Sequence, residues 1–128
     1  MAASNMTAVT DSNPQRLSAT SNYLSASFTA DDTDNHEYRY DAAGRSKSTV
    51  AVDNRGNQTV TVTVYGSQTS TGEVGSVNSI FQVGQFTVSS TSVGYETFID
   101  PFPFYIVRLS YSSTPGGGTT TLYVNLID

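Results

Sequence analysis

Cysteine is absent from this chain of 128 residues, and so is tryptophan. Without cysteine there can be neither a disulfide framework nor a thiolate metal centre. Histidine occurs once, at His36, so any nucleophilic triad would depend on that one residue as its base. Charged side chains make up 13% of the sequence, about half the share usual for globular proteins. Lys47 is the single lysine, and the balance of charges is −5. An acidic chain with so few cations lacks what phosphate neutralisation requires, which argues against nucleic acid as a partner. No run of apolar residues approaches the length of a membrane-spanning helix. The start, MAASNMTAV, has no basic segment followed by a long apolar one, so no secretory signal is expected.

Serine and threonine fill the space left by charge, at roughly a quarter of the residues. Together with valine and tyrosine they favour pleated surfaces, which points to an all-β protein. The length suits one domain with two packed sheets. The expected fold is a single β-sandwich of eight or nine short antiparallel strands, jelly-roll or immunoglobulin-like, preceded by an extended N-terminal arm. Residues 1–21 are polar, aperiodic and interrupted by Pro14, so they read as that arm, with the sandwich at 22–128.

Alternation places the strands. Leu24, Ala26 and Phe28 share one face of a first strand, 22–30; His36, Tyr38 and Tyr40 share one face of a second. Val50 and Val52 are expected to pair with Val60, Val62 and Val64 as a hairpin across Asn54-Arg55-Gly56-Asn57. Two shorter strands, 77–83 and 85–93, are divided at Gly84, and 94–99 follows. A C-terminal hairpin is expected from Tyr105, Val107, Leu109 and Tyr111 on one strand and Leu122, Val124 and Leu126 on the next. Pro115 to Gly118 would form its turn.

Chemistry is sparse. None of the serines stands in a GxSxG elbow, and His36 reads as a strand residue at a loop edge. Asp31, Asp32, Asp34, Asn35 and Glu37 form the one cluster of oxygen donors, but the spacing is not that of a calcium-binding helix-loop-helix. It reads as a solvated acidic loop. Gly116 to Gly118 precedes no helix and is a loop, not a phosphate cradle. No catalytic residue, cofactor or metal is expected, and the chain does not read as an enzyme.

A resemblance runs from Thr49 to Tyr123. VTVTVYGS at Val60 to Ser67, the aromatic-proline lead into YIVRL at Pro101 to Leu109, and the hairpin-like TPGGGTTTLY at Thr114 to Tyr123 carry it. In these segments the chain resembles small β-sandwich structural proteins of tailed bacterial and archaeal viruses, of capsid decoration, turret or head-associated type. The resemblance implies a virion subunit, made in the host cytoplasm, that binds other copies of itself and the capsid. The alternative is a host-recognition module of a fibre or spike, binding a receptor or glycan. Phe102, Phe104 and Ile106 add apolar bulk on the parity opposite Tyr105 and Val107, which marks them as contacts to a neighbour. Met6, Val9 and Leu17 are spaced apolar handles on the arm for the same purpose.

Overall fold

The computed structural model describes residues 4–10, 13–19, 23–42, 47–69, 74, 80–99 and 102–127. Ten strands and no helix occur among them: β1 (Ser4–Thr10), β2 (Asn13–Ala19), β3 (Tyr23–Thr29), β4 (His36–Asp41), β5 (Lys47–Asn54), β6 (Val60–Ser67), β7 (Ile80–Val88), β8 (Ser92–Phe98), β9 (Phe104–Tyr111) and β10 (Thr119–Ile127). They form two sheets, in the orders β2-β1-β4-β9-β6-β7 and β3-β10-β5-β8. Every pairing is antiparallel.

The eight strands from β3 onward are nested. β6 pairs with β7, β5 with β8, β4 with β9 and β3 with β10, and successive pairs fall in alternate sheets. A long antiparallel ribbon folded over on itself in this way is a jelly roll. The topology therefore excludes the immunoglobulin-like alternative.

Two expected hairpins do not exist. β5 and β6 lie in different sheets, and so do β9 and β10. The connections 55–59 and 112–118 cross from one layer to the other. The inward faces were read correctly, because alternation reports which side chains meet a core and not which strand lies alongside. Val50 and Val52 look across the core at Val60, Val62 and Val64, and all five are fully buried. Tyr105, Val107, Leu109 and Tyr111 likewise oppose Leu122, Val124 and Leu126. Leu24 is buried, with Ala26 and Phe28 packed partly against the same core.

Gly84 does not divide two strands. It lies within β7, where a Cβ would stand 2.4 Å from the Phe98 ring. The glycine is there to admit that ring from β8. Next to it the β6–β7 register shifts at Val64/Tyr65, a bulge in this edge strand.

Within the stretch 1–21, expected as a separate arm, β1 and β2 pair with one another and β1 pairs along β4. The boundary after Ser21 is thus crossed by a sheet. Ladder hydrogen bonds need no periodic apolar face, which is why polarity alone did not disclose the pairing. Ala43 to Ser46, most of the loop 67–76, and Asp100-Pro101 fall outside the described residues.

One end of the sandwich is clamped by a buried polar network. Asn54 is fully buried, and its Nδ2 donates to Gln58 O at 2.8 Å, with Val88 O and Ser89 O at 3.1 and 3.2 Å. Its Oδ1 accepts from Gly56 N at 2.9 Å and from Tyr111 Oη at 2.5 Å. Tyr111 Oη also meets Thr120 Oγ1 at 2.6 Å. One side chain thereby ties together the connections that leave β5 and β7 and the ends of β9 and β10.

Candidate interaction surface

His36, Asp32 and Glu37 are engaged in contacts within the fold. His36 Nε2 lies 2.9 Å from Asp32 Oδ1, and its ring stacks on Phe28 with centroids 3.8 Å apart. Asp32 Oδ1 also accepts from Asp34 N at 3.2 Å, so this carboxylate closes its own loop. Among the described residues no three His, Asp or Glu side chains gather as a metal site. Glu37 accepts from Arg108 Nε at 2.6 Å across the β4–β9 pair, and Arg108 stands over the Tyr65 ring at 5.7 Å.

The tyrosines inside the core are not poised as acids. Burial pushes the Tyr38 hydroxyl up to about 12, and raises Tyr40 further still. Tyr111 is raised too, by burial, with its Thr120 hydrogen bond acting the other way. Tyr40 Oη donates to Ser48 Oγ at 3.0 Å, and its ring stacks on Tyr105 at 5.3 Å. These are structural hydroxyls.

Of the six apolar residues expected to meet a neighbour, Ile106 and Phe102 pack within the chain. Ile106 is 1% exposed. Its register neighbour Arg39 is also buried and donates to Thr69 O at 3.2 Å, so the chain leaving β6 folds back over this face. Phe102 packs against the core, stacked on Phe81 at 5.7 Å and edge-on to Tyr105 at 6.2 Å. It fills the space over Gly66, where a Cβ would stand 2.2 Å from the ring. Phe104 is half-buried. Met6 and Val9 fall on β1 and Leu17 on β2, with Met6 opposite Leu17 in the ladder; their side chains lie outside the described residues.

Apart from Phe81 on β7, the large apolar side chains exposed among the described residues lie on or beside the outer face of the four-stranded sheet. Ser25, Tyr123, Ala51 and Tyr95 make one row across β3, β10, β5 and β8. Ser27, Thr121, Asp53 and Val93 make the next. Tyr95 is 72% exposed, Val93 63% and Ile99, just past β8, 69%. Thr49 and Thr97 hydroxyls meet at 3.0 Å, and Asp53 Oδ1 is 2.8 Å from Arg55 Nε. The face is low in charge and apolar toward its β8 margin. Outward parity on β8 was visible in the sequence as Val93, Tyr95, Thr97 and Ile99. Their exposure depends on β8 ending its sheet, which no local pattern reports.

No protein-family model matches the chain, and no curated protein matches it. Among solved structures it is similar to PirA, with 10% identity over 80% of this chain and 92% of that one, at a TM-score of 0.48. It is also similar to a structure of Bacillus endospore appendages, disulfide-linked pili, with 15% identity over 83% and 86% and a TM-score of 0.45. A third is PliG of Aeromonas hydrophila, a periplasmic inhibitor of g-type lysozyme, with 14% identity over 81% and 83% and a TM-score of 0.43. At these identities the likeness concerns the all-β fold alone.

Proposed function

We propose that the chain is a structural subunit of a virus particle, a capsid decoration, turret or other head-associated protein, acting through protein–protein contacts rather than turnover. The observation that carries this reading is the open outer face of β3-β10-β5-β8, with Tyr95, Val93 and Ile99 exposed and little charge around them. Large exposed apolar side chains gathered on one face mark contact with another macromolecule. Two further features support it. The segments from Val60 to Ser67 and from Pro101 to Tyr123 carry the resemblance to virion β-sandwich proteins, and a jelly roll is an architecture that capsid proteins use. His36, Asp32 and Glu37 are held in structural contacts.

Quantitative mass spectrometry of purified particles tests this. Repeated copies per particle, in fixed ratio to the major shell protein, are the expected result. A chain abundant in the lysate and missing from particles would refute it.

A second reading, glycan or receptor recognition at a fibre or spike, is favoured by one observation. Tyr95 and Tyr123 stand on the same row and face, two strand spacings apart, about 10 Å. Two such rings could serve as a stacking platform. Binding on a glycan array that is lost on Tyr95→Ala would favour this role over the first.

A further inference from the structure

We infer that β8 is a self-pairing edge: two copies of this chain join antiparallel along Ser92–Phe98, about a two-fold axis at Tyr95, and merge their four-stranded sheets into one of eight strands. This deepens the structural reading above by naming the surface and the partner.

β8 ends its sheet, and β5 is its one ladder partner among the described residues. The opposite edge of β8 therefore presents a row of backbone donors and acceptors to any strand that can approach. Natural edges are defended by lysine, proline, a bulge, an inward-pointing charge or a cover. SVGYETF contains neither lysine nor proline, and its register with β5 runs unbroken through seven pairs, so the strand carries no bulge. Its one charge, Glu96, shares the inward parity of Val50, but it is exposed at the rim of the sheet, and a partner register that sets it against glycine leaves it room. The other three edges differ. β2 carries Pro14, β7 carries the bulge opposite Val64/Tyr65, and β3 has β1 packed beside it.

The sequence of β8 also selects a register. Sheet continuity requires that outward residues face outward residues across the seam, so the two-fold axis must pass through a residue position. Tyr95 is the midpoint of Ser92–Phe98, and centring there pairs the full strand length. Each step away shortens the ladder. Centring on Glu96 would also set two carboxylates face to face, which is destabilising. About Tyr95, Glu96 instead meets Gly94, Val93 meets Thr97, and the two Tyr95 rings lie side by side. The exposed Val93 and Tyr95 thus come to the middle of the seam. The pairing is isologous, as closed two-fold dimers require.

The absence of native cysteine makes the register directly readable. In either class of antiparallel pair, facing Cα atoms lie about 4.5–5.5 Å apart, within reach of a disulfide. Full-length Tyr95→Cys should therefore cross-link to near completion under mild oxidation. Val93→Cys alone should not, since its two copies would lie about 13 Å apart along the strands. The double variant Val93→Cys/Thr97→Cys should cross-link again. In sedimentation equilibrium the unmodified chain should move with concentration from 13.7 kDa toward twice that mass. Tyr95→Lys should weaken the association at least tenfold with its melting temperature held, because the side chain is exposed in the monomer. A monomer at the highest soluble concentration would overturn the proposal. So would equal cross-linking by Val93→Cys and Tyr95→Cys, or a dimer indifferent to Tyr95→Lys. A monomer that still occupies particles sinks the seam alone; a dimer absent from particles sinks the particle reading alone.

Discussion

Replacing Asn54 by alanine should be among the most damaging single changes to this fold. The amide has two donor hydrogens and three carbonyl oxygens around Nδ2, and two donors converge on Oδ1. Its orientation is thus dictated by its surroundings. In Asn54→Ala, Tyr111 Oη keeps Thr120 as a partner, so it is not orphaned. Gly56 N and Val88 O, which lie in buried surroundings, lose theirs. Leaving a buried polar group unsatisfied costs about 1–3 kcal/mol, so two of them give roughly 4 kcal/mol. For a domain of this size each kcal/mol lowers the melting temperature by about 3–5 °C, so a fall of about 12–20 °C is expected. Asn54→Asp is a sharper probe, being equal in shape. It sets a carboxylate oxygen against carbonyl oxygens and should be worse than alanine at neutral pH. Burial would raise the carboxyl above its unfolded value, so stability should return as the pH falls toward that of the protonated acid. Thermal and urea denaturation followed by circular dichroism measures both. A loss under about 1 kcal/mol for Asn54→Ala would refute the clamp.

Further outcomes follow from the same structure. Tyr38 and Tyr40 have hydroxyls raised above the unfolded value of 10.0, so their stabilisation is whole below pH 10 and declines as the pH climbs from there through about 12. An ultraviolet titration should show these two, with Tyr111, ionising late or together with alkaline unfolding; eight tyrosines titrating alike in the folded protein would contradict this. Gly118 has φ +97°, and a Cβ there would stand 2.4 Å from Arg55 O, whereas Gly117 at φ +125° opens onto free space. Gly118→Ala should therefore lower the melting temperature well beyond Gly117→Ala, which bears backbone strain of about 1–2 kcal/mol alone. Thr91, at the three-residue connection between β7 and β8, holds φ 53°, costly for a β-branched residue. Thr91→Asn should raise the urea midpoint, by up to about 1 kcal/mol of stability.

The inward faces of the strands were legible because alternation is a local signal. Val60, Val62 and Val64, and Tyr105, Val107, Leu109 and Tyr111, are buried where their parity placed them. Partnership was not legible. A short connection reads as a hairpin turn, and 112–118 carries the residues of one, yet it spans two layers about 10 Å apart. Asn54 reads as a turn former in Asp-Asn-Arg-Gly, and nothing local says that four other segments converge on it. The apolar surplus of Phe102, Phe104 and Ile106 was visible, but the cover that Arg39 and Thr69 supply comes from distant stretches. The open edge at β8 arises from strand order, which is a property of the assembled sheets.

Electron cryo-microscopy of particles made with and without the gene tests whether this jelly roll is the repeated structural subunit of a particle that we propose. Density for a two-layered β-sandwich of 13.7 kDa subunits is expected at symmetric sites on the head, and it should be missing from particles that lack the gene. Identical density in both preparations would contradict it.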